Sequence, residues 1–221
     1  MSNPIKSCLI LIFILRIQII VYGVFLRPVI TTWGASNSEV HMPLVGDDIA
    51  PYVSSTRAIV INAPADEVWK WLIQLGADRG GFFSYTFIEK ALGYETGNSG
   101  KIVPEFQEMK VGRVLESRDR VKSVLKYRFP VVAVERGKSF VLKDWGAFVL
   151  QAVNSTRTRL IIRTHGRELP GLMDRIVFLI GTPCHYIMER RMMMGVSGCH
   201  QLRMFYGSWG SQQNRTVRII S

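Results

Sequence analysis

The sequence predicts an α+β fold in which a curved antiparallel sheet closes around a long C-terminal helix. Three observations predict it. A short strand runs into a helix with a very broad apolar face between Thr56 and Leu75. A series of closely spaced strand patterns follows from Val111 to Thr164, and the last patterned segment, ending near Val196, is helical. Strands joined without intervening helices form an antiparallel meander, and a helix that wide in its apolar face needs a sheet or a cavity to cover it.

The N-terminus comes first in the chain. Residues 8–26, CLILIFILRIQIIVYGVFL, are broken only by Arg16 and Gln18. As a helix at about 1.5 Å per residue they reach about 29 Å, close to the roughly 30 Å bilayer core. Fourteen of them are Leu, Ile, Phe or Val; at roughly −0.3 to −0.6 kcal/mol each they outweigh one central arginine at about +2.5 to +3.5 kcal/mol. A cleaved signal peptide is disfavoured by the apolar length, by Arg16 and by the weak cleavage site after Leu26. Residues 1–27 are therefore expected to be a single-pass anchor, with Arg16 and Gln18 facing a partner helix or another polar neighbour. Lys6 against Arg27 decides no orientation.

Residues 28–55 carry turn formers without periodicity and read as a linker whose Trp33 and Tyr52 pack on the following domain. In residues 56–196, Ala58 to Ile61 read as a strand. Pro64 is placed as the first helical residue, with Asp66 and Glu67 in the first turn and Gly76 at the end. The Gly80-Gly81-Phe82-Phe83 turn follows, then a short helix capped by Ser84 and stopped by Gly93. Strands are expected at Val111–Leu115, Val121–Phe129, Val131–Glu135, Phe140–Lys143, Ala147–Val153 and Arg159–Thr164. Leu172–Ile180 is an apolar helical segment, and Thr182-Pro183 starts another that runs to about Val196. Residues 197–221 have no pattern and read as a flexible tail.

Charge is uneven. Of the net +11, residues 1–50 contribute zero, residues 51–110 contribute −1 and residues 111–221 contribute +12. A basic half can meet nucleic acid or anionic lipid. No zinc-finger spacing, basic helix or RNA-binding aromatic signature accompanies it, so no nucleic-acid partner is expected. Arg157, Arg159 and Arg163 share one parity of one strand, which reads as a solvated outer face. With an anchor nearby, the positive half favours the anionic cytoplasmic leaflet. Cys8, Cys184 and Cys199 make no disulfide framework and no metal spacing.

The motifs WGAS (Trp33–Ser36), PLVGDD (Pro43–Asp48), TRAIVINAPADEVWKWL (Thr56–Leu72), DRGGFFSYTFIE (Asp78–Glu89), IVPEFQ (Ile102–Gln107) and HYIMERRMMMG (His185–Gly195) occur in that order. Together they resemble the SRPBCC superfamily (START-like, polyketide cyclase/dehydrase-like), and more narrowly a membrane-anchored bacterial branch of it. The resemblance spans about Trp33 to Val196. It implies the helix-grip fold and a deep cavity for an apolar ligand, and it implies no particular reaction.

The candidate ligand-binding residues are Trp71, Arg79, Phe82, Phe83, Tyr85, Glu89, Trp145 and Met188. Phe82 and Phe83 supply apolar area, and an Arg79–Glu89 pair beside Tyr85 would orient a polar ligand end. The same pair could instead pin the glycine turn to the second helix. Trp145 is a pocket wall or a rim tryptophan, one of Trp69 and Trp71 belongs to the core, and the methionines suit an adaptable wall or ordinary packing. No nucleophile elbow, phosphate loop, dinucleotide fingerprint or metal-ligand spacing occurs, so no catalytic residue, metal or cofactor is assigned. Three functions remain. The chain binds an apolar small molecule or lipid; or it is a cyclase- or dehydratase-type enzyme using Tyr85, Glu89 or His165; or it is a basic surface-binding protein without a small ligand.

Overall fold

The computed structural model describes residues 4–49, 52–91, 97–116, 128–166, 171 and 181–198. The expected strand at Val121–Phe129, apart from its last two residues, lies outside them. So do the Gly93 stop, the Leu172–Ile180 segment and the tail from residue 199 onward.

The N-terminal helix is longer than its apolar run. It comprises α1 (Pro4–Val21), a π-helical turn (Tyr22–Leu26) and α2 (Arg27–Thr31). It therefore takes four residues, 28–31, from the expected linker. Pro28 has no N–H and its ring crowds the carbonyl four residues back, and the wider π turn just before it relieves that clash. Residues Lys6–Thr31 form one continuous helix long and apolar enough to cross a membrane, and none of its most apolar window is buried against the rest of the chain.

Next comes α3 (Asn37–His41), closed by a capping box in which the Ser36 hydroxyl accepts from the Glu39 N–H and the Ser36 N–H donates to Glu39. Strand β1 (Val53–Ile61) leads into α4 (Ala65–Leu72) and α5 (Thr86–Ala91), with a 3-10 turn at Pro104–Phe106. Pro64 sits one position earlier than expected, as an extended N-cap whose carbonyl accepts from Glu67 and Val68. Helix α4 ends at Leu72, and the chain from there to Gly81 is a turn closed by mutual Gly76 and Gly81 backbone bonds. Ser84 does not cap α5: its hydroxyl donates to the Met188 sulfur at 3.3 Å, and the Tyr85 carbonyl receives the first helical N–H groups.

The remaining strands are β2 (Val114–Glu116), β3 (Arg128–Glu135), β4 (Ser139–Leu142), β5 (Gly146–Asn154) and β6 (Arg157–His165). Among the described residues they form one antiparallel sheet in the order β1-β6-β5-β4-β3-β2. Register shifts at Val53/Ser55, Val131/Ala133 and Ala152/Asn154 mark bulges, which bend a sheet. The meander follows from tight connectors such as Arg136-Gly137-Lys138, where Gly137 adopts φ 78°.

The inner face of the sheet carries Ile61, Leu160, Ile162, Phe140 and Phe148. These share one core with Trp69, Trp71 and Leu72 of α4 and with Met192, Met193 and Val196 of the helix over residues 181–198, here α6. This is the α+β helix-grip arrangement, with an apolar N-terminal helix before it. Gly195 lets α6 approach closely, because a Cβ there would stand 2.3 Å from the Phe83 carbonyl oxygen.

The outer face is not solvated as expected at Arg159 and Arg163, while Arg157 is exposed. Residues 33–47 lie across it as a third layer. Arg159 forms a fork with both oxygens of Glu39 at 2.7 Å. Arg163, 2% exposed, donates to Asp47 at 2.6 Å and to the carbonyls of Glu39, Val40 and Met42. Gly34, at φ 72°, passes so close to the Ala58 carbonyl that no Cβ fits, and the Ala58 N–H donates to the Trp33 carbonyl. The arginine parity pattern was real, but it marks a face for the preceding segment instead of water.

Candidate functional site

A cavity of about 470 Å³ opens between the sheet and the first turns of α6, a size within the ~300–1,000 Å³ typical of small-molecule sites. Four parts of the chain build it. The floor is Ser55 and Thr164, paired across β1 and β6, with Arg57 one pleat further along β1. One wall is aromatic: Trp145 stands against Phe82 (6.0 Å), Phe129 (5.1 Å) and Phe148 (5.3 Å). The roof is α6, through Thr182, His185, Met188, Glu189 and Met192, and Glu89 enters from α5. Exposed Asp144, Gly181 and His185 mark the rim.

One buried ionic cluster crosses from floor to roof. Arg57 Nη1 donates to Glu189 Oε1 at 2.7 Å, with both side chains 1% exposed. The second Glu189 oxygen accepts from the Thr164 hydroxyl at 3.0 Å, and His185 Nε2 lies 3.4 Å from it. Arg57 Nε donates at 2.8 Å to the Ile30 carbonyl in the last turn of α2, and its guanidinium lies 5.5 Å over the Tyr186 ring. Burial pushes the His185 imidazole pKa down and Arg57 adds to this, against the pull of Glu189. Because the side chain is 42% exposed, solvent moderates the desolvation. A buried charge without its partner is costly, so Arg57 and Glu189 fix the position of α6 over β1.

Of the eight candidate residues, Phe82, Glu89, Trp145 and Met188 line the cavity. Trp71, 1% exposed, and Phe83, 3% exposed, meet edge-to-face at 6.0 Å in the core and do not line it. Tyr85 also lies off the cavity, beside Phe87 and under the Arg191 guanidinium. The expected Arg79–Glu89 pair is absent. Arg79 turns the other way, donating to the Phe106 carbonyl and covering the Phe106 ring at 5.3 Å, with Nε and Nη1 unbonded. Burial first, then repulsion from Arg113, lowers its pKa to about 10. It pins the glycine turn to the 104–108 loop, with Phe106 in the place expected of Glu89.

His165, considered as an acid or base, also lies in the wall, with Nε2 3.0 Å from Asp47 Oδ1. Burial acts to raise the Asp47 pKa, but bonds from His165 and the Leu44 N–H, with the charge of Arg163, hold it below the usual carboxylate value. The sequence reading missed Ser55, Arg57 and Glu189. One signal for them was present: Arg57 is a charge at an inward position of a strand, and His185 and Glu189 stand one helical turn apart in HYIMERRMMMG. No group of three or more His, Cys, Asp or Glu suited to a metal occurs among the described residues.

No protein-family model matches this chain, and neither does any curated protein. Several solved structures are similar to it. The chain is 10% identical to protein NE0264 from Nitrosomonas europaea, covering 68% of this chain and 96% of that one, with a TM-score of 0.40. It is 15% identical to protein MLL2253 from Mesorhizobium loti (66% and 96% covered, TM-score 0.34). It is likewise 15% identical to the Polyketide_cyc-like protein Cgl2372 from Corynebacterium glutamicum (65% and 82% covered, TM-score 0.28).

Proposed function

We propose that this protein binds an apolar small molecule or lipid in the cavity between sheet and α6 while anchored to a membrane by its N-terminal helix. The observation that carries the reading is the wall itself: Phe82, Phe129, Trp145, Met188 and Met192 bound a space with little polar surface. Such a space gains affinity from apolar area. Arg57 supports the membrane half, since one side chain lines the cavity and also holds the last turn of the apolar helix. Arg16 and Gln18, both exposed on α1, would meet a partner helix or reach a headgroup in the bilayer. The domain then sits on the cytoplasmic side, where its positive charge meets anionic lipid.

Photolabelling of the full-length protein in membranes tests this. An alkyl diazirine should label the peptides carrying Phe129 and Met188, and excess unlabelled fatty ester should suppress the label. Labelling confined to residues 6–31 would contradict the cavity reading.

The enzyme alternative has one observation in its favour, that Glu89 and His165 both line the cavity. With a ligand in hand, turnover abolished by Glu89→Gln while binding persists would establish chemistry over carriage. The surface-binding alternative is weakened because Arg159 and Arg163 are engaged by Glu39 and Asp47.

A further inference from the structure

His185 meets the buried ion pair through both ring nitrogens. Nδ1 lies 3.3 Å from Arg57 Nη1, and Nε2 lies 3.4 Å from Glu189 Oε2. A single tautomer serves both contacts: the neutral ring with its proton on Nε2 donates to the carboxylate and accepts from the guanidinium. Arginine keeps its protons at any working pH, so Arg57 occupies the direction that a second ring proton needs. Protonation of Nδ1 would set N–H against N–H and leave two cations on one carboxylate.

The ring is within reach of water. Its side chain is 42% exposed at the cavity rim, whereas those of Arg57 and Glu189 are each 1% exposed. The charges acting on it are Arg57 from β1 and Glu189 from α6 itself, and Thr164 of β6 holds the same Glu189 oxygen. Glu89 of α5 and Asp144 of the β4–β5 turn line the same cavity but do not act on the ring.

Along α6 the two halves are held differently. Met192, Met193 and Val196 belong to the hydrophobic core, and Gly195 closes on the Phe83 carbonyl. The first turns instead meet β1 and β6 through the charged cluster, and Arg57 carries that link on to the Ile30 carbonyl. A loosening confined to these turns would open the cavity at Gly181 and Thr182, which line it, without disturbing the core.

We infer that His185 is an acid-released latch: its protonation frees the first turns of α6 from β1 and opens the cavity between them. Burial pushes the pKa of this ring down and Arg57 adds to that, against the pull of Glu189. The closed arrangement therefore takes up a proton less readily than one in which the ring stands in water. Closure is at full strength above the ordinary histidine value of 6.5 and weakens as pH falls from there through the lowered value. The purpose of the latch rests on the cavity-binding reading; its chemistry rests on the cluster alone, and its test needs no ligand.

The test is amide hydrogen exchange of the full-length protein in mild detergent at about pH 7.5 and about pH 5, on either side of the histidine range. Exchange times are scaled for the pH dependence of chemical exchange. Peptides covering residues 181–189 should exchange about threefold faster or more at the lower pH, the factor that half a pKa unit supplies. Peptides from β5, β6 and residues 192–198 should keep their protection. In His185→Gln, whose amide can donate to Glu189 and accept from Arg57 without titrating, the scaled ratio should stay near one. His185→Asn is the second non-titrating variant and should behave alike. No acid response over 181–189 in the natural protein overturns the latch. The same response in a folded non-titrating variant assigns it to another group and overturns it too, as does loosening that spreads equally through β5 and β6. All three outcomes leave the cavity-binding reading to the photolabelling experiment.

Discussion

Arg57 joins three parts of the chain that are distant in sequence: the Ile30 carbonyl, the Glu189 carboxylate and the Tyr186 ring. Removing one member of such a pair strands the other as a buried charge. Arg57→Met and Glu189→Met should each destabilise the protein by about 3–5 kcal/mol. The double substitution should cost clearly less than the sum, measured as a double-mutant cycle in denaturant. At the outer face, the hydrogen bond from Arg159 lowers the Glu39 pKa from 4.5 to about 2, overcoming the opposing effect of burial. A depressed carboxylate stabilises the fold fully above its unfolded value and loses that contribution as pH falls through its folded one. Stability should thus fall between about pH 4.5 and pH 2. Arg159→Gln should lower stability at neutral pH and flatten that limb, as read by thermal unfolding against pH.

At the scale of elements, α6 is held to the glycine turn by close approach. Gly195→Ala would ordinarily stabilise a helix by about 1 kcal/mol, but its Cβ would meet the Phe83 carbonyl oxygen at 2.3 Å. The substitution should instead destabilise by about 1–3 kcal/mol in chemical unfolding, and a stabilised variant would show that the contact yields freely. The same elements explain what could be read in advance. Strands β4 to β6 were legible because alternation has a period of two and tight turns punctuate it, whereas β3 (Arg128–Glu135) runs straight through Pro130, where a break between two strands was expected; helix α4 was legible because its apolar face is broad and its first turn acidic. Arg163 was misread because parity says which face a side chain takes and says nothing of what covers that face. Its partners in the covering segment lie 116 to 124 residues away. The Arg79–Glu89 pairing failed for a related reason: sequence proximity was taken for contact, while a turn with two positive-φ glycines, Gly76 and Gly81, sends Arg79 toward Phe106. Glu89 belongs to the cavity and Arg79 to the scaffold.

For the whole molecule, the cavity and the apolar N-terminal helix are connected through Arg57. Topology can be read from Cys184, which is exposed on α6. With Cys8 and Cys199 replaced by serine, a membrane-impermeant maleimide should label Cys184 after lysis and not in intact cells. Labelling in intact cells would place the domain on the outer side. Occupancy of the cavity by an apolar molecule is tested most directly by the native mass of the full-length protein extracted from its own membrane. The account predicts an excess mass of about one small apolar molecule per chain, removable with organic solvent and reduced by Met188→Trp, which fills the space. A folded protein at its bare sequence mass, unchanged by added fatty ester and by Met188→Trp, would contradict it.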